Sequence, residues 1–284
     1  MSEELSRLMH HIHDENMRDV FLHTTLDQMV TKNDLEKPKR TGWHLSNIIS
    51  PSEKGVHRLC YRQYVLTKFY TPAQEKQLSV KALRIFLEGW YIHLKWQHLF
   101  QASGNALEVE HTRYNKLFDL YYTPDIVAFF PEETGKEEWI VEIKSMNTER
   151  YEKAIKEKKE KNTHPSGYKQ AQMYMYLTGY KHAMLLLENK NTQEHEERSF
   201  EYDEKVVQPY VKRLITLSDL SEDYKNGSEL PERVCSSSDV QRAKQCPMRD
   251  VCFIERKKRE QFFITEEKSE TQINASLIHK KEGK

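Results

Sequence analysis

Leu120-Tyr-Tyr-Thr-Pro-Asp125-Ile-Val-Ala-Phe-Phe130, a short polar link, and then Glu138-Trp-Ile-Val-Glu142-Ile-Lys144 form the stretch on which the fold turns. Both runs are rich in β-branched and aromatic residues, which favours strands. The link Pro131-Glu-Glu-Thr-Gly-Lys136 is polar and contains glycine, so the two runs predict a hairpin. Residues two apart share one face of a strand, which places Glu142 beside Lys144. In strands lying side by side, Asp125 and Glu142 can point at one ion.

The residue types suit one chemistry in particular. Phosphodiesters resist hydrolysis because their charge repels nucleophiles. A divalent cation neutralises that charge and generates hydroxide near neutral pH. Magnesium and manganese prefer oxygen ligands, which Asp125 and Glu142 supply. The main-chain carbonyl of Ile143 is a further candidate ligand. Lys144 could orient the attacking water or stabilise the transition state. Glu-x-Lys alone is a weak signal in a chain with 31% charged residues. The preceding Pro124-Asp125 at hairpin distance strengthens it.

Outward from this centre the pattern is mixed α/β. Residues 3–35 carry apolar residues at helical spacing, followed by a break at Lys37-Pro38-Lys39. Short helices are predicted over His44–Ile49 and Val56–Phe69. Ser79–Phe100 is the clearest helix. It is apolar around so much of its girth that it is expected to be buried. Strands are predicted over Ala106–Glu110, Asn115–Asp119, Leu120–Phe130 and Glu138–Lys144. Arg150–Lys161 reads as a charged helix and Tyr168–Thr178 as a helix closed by Gly179. His182–Glu188 and Glu196–Tyr202 read as paired strands, and Asp203–Asn226 as a long helix. The expected organisation is a helical segment at 1–36, a central domain at 37–264 and a polar tail at 265–284.

Composition narrows the function classes. Nine glycines in 284 residues argue against a loop-rich all-β fold. Mean hydropathy is −0.84, and the apolar runs are too short to span a bilayer. The acidic start Met1-Ser-Glu-Glu lacks an apolar core, so no signal peptide and a cytoplasmic location (host cytoplasm if viral) are expected. Net charge is zero, which lowers the expectation of nucleic-acid binding without excluding it, since local basic runs matter more. Such runs are Lys37–Arg40, Lys153–Lys161 and Arg256–Arg259. Each is equally readable as a solvated face.

Taken in order, Gly89-x-x-x-His93, Pro124-Asp125, Glu142-Ile143-Lys144 and Gln170-x-x-x-Tyr174 resemble the motifs of the PD-(D/E)xK nuclease superfamily, and within it the RecB-like exonucleases. The resemblance covers roughly residues 44–256. It implies a restriction-endonuclease-like core, a mixed central sheet flanked by helices. It also implies a manganese or magnesium ion held by His93, Asp125, Glu142 and the Ile143 carbonyl, with Lys144 catalytic. Gln170 and Tyr174 would contact DNA or position the site. The competing register Gln172-x-x-x-Tyr176 lies one face round. Tyr122 stands where the family often has glycine.

Four cysteines remain: Cys60 before this region and Cys235, Cys246 and Cys252 after it. They match ligands with none left over, and Pro247 follows Cys246 as proline follows a ligand in some ferredoxin-like sites. They resemble the iron–sulfur subgroup of the family, the CRISPR-associated and helicase-linked members. That implies a [4Fe–4S] cluster joining segments 44–64 and 228–256. Cys246-x5-Cys252 fits that subgroup, whereas Cys235 stands further upstream than usual. Zinc is the runner-up, although no close cysteine pair is present, and unligated buried thiols are the third reading.

The expected activity is a DNA exonuclease preferring single-stranded or frayed ends. The alternatives are a DNA-binding or assembly subunit and a zinc-bound structural protein. Expected partners are DNA, a helicase or integrase, and a second copy of the chain. No Gly-x-x-x-x-Gly-Lys-Ser/Thr motif is present, so unwinding would come from another chain.

Overall fold

The computed structural model describes residues 43–50, 59–70, 79–130 and 137–259. The expected N-terminal helical segment and the whole of the polar tail lie outside the described residues. The chain divides into two compact units, Met1–Lys39 with Gln77–Trp90, and Arg40–Lys76 with Tyr91–Lys284.

In chain order the first elements are β1 (Trp43–His44), α1 (Leu45–Ile49), α2 (Tyr61–Phe69) and α3 (Val80–Ala102). Then come β2 (Ala106–Val109), β3 (Arg113–Asn115), β4 (Leu120–Tyr122), β5 (Ile126–Phe129) and β6 (Glu138–Met146). Next are α4 (Thr148–Ile155), α5 (Glu160–Thr163), α6 (Pro165–Thr178), β7 (His182–Asn189), β8 (His195–Glu201) and α7 (Glu204–Lys225). Short helices α8 (Gln241–Gln245), α9 (Arg249–Cys252) and α10 (Arg256–Arg259) follow.

In the first unit, α3 as far as Trp90 is described. Leu83 is buried there, and Ile85, Phe86 and Trp90 are exposed.

The second unit is built on a five-stranded sheet in the order β2-β5-β6-β7-β8. β6 and β7 run parallel, and the other neighbours are antiparallel. A parallel pair needs a crossover, which α4, α5 and α6 supply. The two faces follow from strand period two. Val127, Ile140 and Ala183 pack with Ala171, Met173, Tyr174 and Met175 of α6 and with Leu214 and Leu217 of α7. Ile126, Ala128, Trp139, Val141, Ile143, Met184 and Leu186 face the other way, toward Ile92, Trp96 and Phe100 of α3. Leu185, Leu186 and Leu187 are wholly buried, each contributing about 1.5–3 kcal/mol. The result is a mixed α/β sheet flanked by helices, in agreement with the core expected from sequence.

Local chemistry sets the helix ends. Pro165 opens α6, where its missing N–H costs nothing. Gly179 closes it at φ 82°, a left-handed conformation that glycine adopts freely. Glu188, at the end of β7 and 1% exposed, holds α3 to the sheet. It accepts from Lys95 Nζ at 2.6 Å and from the Trp96 indole N–H.

Several expectations need correction. Leu120–Phe130 is not one strand. Pro124 has no N–H for a ladder, so the run splits. β4 joins a small sheet ordered β1-β4-β3, while β5 joins the main one. Of the strand expected over Asn115–Asp119 only Asn115 lies in β3, and Lys116–Asp119 form a turn, since the Asn115 side chain accepts the Phe118 N–H and Asp119 sits at φ 49°. The helix expected over Arg150–Lys161 breaks after Ile155 and resumes as α5. The helix expected to be buried all round is half exposed. In the second unit Ile92 and Gln97 are buried, but Tyr91, Leu94 and Leu99 face outward.

Candidate active site

The break at Pro124 leaves Asp125 just ahead of β5, with its carbonyl accepting the Glu110 N–H at 3.0 Å and its carboxylate directed to β6. Its Oδ2 accepts the Ile143 N–H at 2.8 Å. Its Oδ1 lies 3.4 Å from His93 Nδ1 on α3. On the adjoining strand, Lys144 Nζ donates to Glu142 Oε1. His93, Asp125, Glu142 and Lys144, far apart in sequence apart from the last two, thus meet where β5 ends beside the middle of β6. Among the described residues no three histidine, cysteine or acidic groups stand close enough to hold a single metal ion in this arrangement. The carboxylates are instead engaged by His93, Lys144 and the Ile143 amide.

The electrostatics are those of a buried charge cluster. Glu142 is fully buried. Burial and the neighbouring Asp125 charge push its carboxyl up to about 7, against the pull of Lys144 and His93. Burial also pushes Asp125 upward, but the His93 hydrogen bond, the charges of His93 and Lys144 and the Ile143 amide outweigh it, so Asp125 lies below its ordinary value. For His93, burial opposes the charged form and the Asp125 hydrogen bond overrides it, leaving a net rise. Lys144 is likewise raised, because Glu142 and Asp125 outweigh its burial. Glu142 Oε2 is buried without a hydrogen-bond partner. A buried unpaired carboxylate oxygen is costly, and it is the type of donor a divalent cation takes. An imidazole and two carboxylates are donors of the type that magnesium or manganese takes, although in this arrangement they do not close around a single point.

Gln170 and Tyr174 form a relay behind the site. Gln170 Nε2 donates to the Tyr174 hydroxyl at 2.8 Å, which donates to the Thr123 carbonyl at 2.8 Å. Thr123 immediately precedes Pro124-Asp125. Tyr174 is wholly buried, so its ring faces protein. Gln172, in the competing register, ties α6 to β8 by bonds to the Glu201 carbonyl and the Asp203 N–H.

Sequence reasoning missed His164 and Gly167. The helix was expected to start at Tyr168, which left both in a loop. His164 Nδ1 accepts the Gly167 N–H at 3.0 Å and caps α6. Burial and the charges of Lys144 and Arg150 push the imidazole down to about 4. The Pro165 start signal after a side chain able to cap was the available clue.

The cysteines occupy a separate region. Cys60 is the residue before α2, Cys235 lies in the segment after α7, Cys246 directly follows α8 and Cys252 is the last residue of α9. All four line one cavity of about 380 Å³, together with Arg233, Arg242 and Arg249. Burial pushes the Cys246 thiol up to about 11 and raises Cys235, each with the other cysteines as near neighbours. None is in a disulfide. Arg62 of α2 donates to the Pro231 carbonyl at 2.9 Å and hydrogen-bonds Cys252, joining the two segments that carry the cysteines. A thiol set without disulfides, gathered around one cavity, fits a thiolate-ligated metal group.

No model of a known protein family matches the chain, and no curated protein matches it. Among solved structures, the crystal structure of SSO0001 matches with 15% identity and a TM-score of 0.44, over 70% of this chain and 87% of that one. An alkaline exonuclease, LHK-Exo, from Laribacter hongkongensis matches with 14% identity and a TM-score of 0.47, over 66% of this chain and 90% of that one. Its complex with dAMP matches over the same shares with 14% identity and a TM-score of 0.48. At such scores the case for the site rests on its own geometry. No described helix is long and apolar enough to cross a membrane.

The depressed His164 value has a consequence for stability. Its folded value near 4 lies below the ordinary 6.5, so the unfolded chain binds more protons between these values. The neutral imidazole therefore contributes fully above pH 6.5, and its contribution is lost as pH falls toward 4. Between pH 7.5 and 4.5 the unaltered protein should lose about 2 kcal/mol more unfolding free energy than His164→Asn. Urea titrations at the two pH values check this. Equal losses in the two proteins would contradict it.

Proposed function

We propose that this chain is a divalent-metal-dependent DNA exonuclease that also carries a structural [4Fe–4S] cluster. The observation that carries the nuclease reading is the meeting of His93, Asp125, Glu142 and Lys144, with one Glu142 oxygen buried and unpaired. Buried, strongly perturbed titratable groups of this kind concentrate at functional sites. His93, Asp125, Glu142 and the Ile143 carbonyl would hold magnesium or manganese. The ion would supply charge neutralisation and an activated water. Asp125 is preset for this by the Ile143 amide, and Tyr174 steadies the turn that carries it through Thr123. Lys144 brings positive charge to where the phosphate gains negative charge. With Glu142 engaged as a ligand, the Lys144 ammonium would be available to a phosphate oxygen or to the attacking water. DNA as substrate, the exonuclease mode and the preference for single-stranded or frayed ends follow the motif resemblance.

Iron–sulfur is favoured over zinc at the cysteines. The preference follows the motif resemblance, and structural zinc sites usually contain a close cysteine pair, which Cys60, Cys235, Cys246 and Cys252 do not supply. A four-iron cluster offers each cysteine its own iron. Its role would be to hold the segment before α2 to the segment after α7.

End-labelled single- and double-stranded DNA tests the activity. The protein should degrade labelled strands with manganese and not with EDTA. Glu142→Ala and Lys144→Ala should each lower the rate at least about 10³-fold with unchanged circular dichroism. Undiminished cleavage by both variants would overturn the assignment. The cluster has its own readout. Protein purified without oxygen should be brown and carry about four irons per chain, and Cys246→Ser should lose both colour and iron. Colourless protein with one zinc per chain would replace the cluster with zinc.

A further inference from the structure

Gly167 stands in the first turn of α6, and its φ is not in the left-handed region. Backbone conformation therefore does not require glycine there, but space does. A Cβ at this position would lie 2.8 Å from His164 Nδ1, 3.0 Å from Lys144 Cε and 3.1 Å from Leu185 Cδ2. Leu185 is wholly buried and has no room to retreat. The imidazole and the lysine stem thus border a gap too small for a methyl group, which glycine fits without displacing either.

The imidazole is held in that place. Nδ1 accepts the Gly167 N–H at 3.0 Å and lies 3.4 Å from the Ser166 hydroxyl. With Nδ1 accepting, the ring is the neutral tautomer protonated at Nε2. An uncharged ring can lie close to a lysine without repelling its ammonium. Lysine otherwise carries about 2 kcal/mol of rotamer entropy, and Lys144 is 21% exposed, so burial alone does not fix it.

We infer that His164 and Gly167 together form a seat that aims the Lys144 ammonium, which makes His164 a positioning residue for the proposed reaction. This rests on the nuclease reading above. The seat constrains the lysine stem from below while Glu142 draws the ammonium from the side. The lysine is then oriented before substrate arrives, so its ordering does not draw on binding energy.

Two variants test this without removing a group that touches substrate. Gly167→Ala forces the stem or the ring to move. His164→Asn keeps a side-chain oxygen able to cap the Gly167 N–H but removes the ring. Cleavage of end-labelled single-stranded DNA with manganese gives kcat and KM, and DNA affinity is read with calcium in place of manganese. Both variants should lose about 10- to 100-fold in kcat, with KM and DNA affinity within about twofold; His164→Asn should keep its melting temperature, whereas Gly167→Ala also crowds buried Leu185 and should melt lower. A merely structural role would not separate kcat from the other readouts. Normal kcat in both variants, with Lys144→Ala inactive, would overturn the seat and leave the nuclease reading standing. In His164→Asn, loss of kcat in step with affinity and melting temperature would also overturn it. If the unaltered protein cleaves nothing, both readings fall.

Discussion

Where β5 ends in the central sheet, a backbone donor that would normally serve the ladder goes to a side chain instead. Ile143 N–H donates to Asp125 Oδ2 at 2.8 Å. The register explains it. Ile126 stands opposite Val141 as the first β5 pair, so Ile143 lies beyond the end of β5, level with the proline that cannot continue the strand. The carboxylate fills that position. This bond fixes one acidic group to the strand that carries the other, and the placement of His93, Glu142 and Lys144 has meaning only in relation to it.

The cost of the arrangement argues for its use. Glu142 is fully buried among other charges, and one of its oxygens has no partner. Taking charges out of water costs several kcal/mol per ion unless geometry and hydrogen bonds repay it. Here the repayment is incomplete, since Glu142 rises to about 7. An apolar residue at this place in β6 would be easier to stabilise. The surroundings supply the missing rigidity. Glu188 holds α3 by Lys95 and Trp96, Tyr174 holds the turn before Asp125, and fully buried leucines of β7 anchor β6 from the other side.

Much of this was legible in the sequence because it depended on local pattern. The β5–β6 hairpin, the β7–β8 pair, the helix closed by Gly179 and the long helix α7 all follow from periodicity and punctuation. The misreadings came where a single residue overrode a run. Pro124 cut one apolar stretch into strands of two sheets, and Asn115 turned a predicted strand into a turn. The girth of α3 misled because apolar residues such as Leu94 and Leu99 are exposed as readily as buried ones. At the site, the paired motifs pointed to residues that do meet. The seat under Lys144 was not legible, because a missing Cβ leaves no trace in a pattern and its neighbours, at positions 144 and 185, are remote in the chain.

The central claim is that one divalent ion is shared by groups from α3, β5 and β6. Calorimetric titration of the protein with manganese, run in buffers of different ionisation enthalpy near pH 7, tests it most directly. The account predicts one site per chain beside any bound at the cysteines. It also predicts proton release on binding, since Glu142 titrates at about 7, and loss of the site in Asp125→Asn. Manganese binding that persists unchanged in Asp125→Asn, or no binding by the unaltered protein, would contradict it.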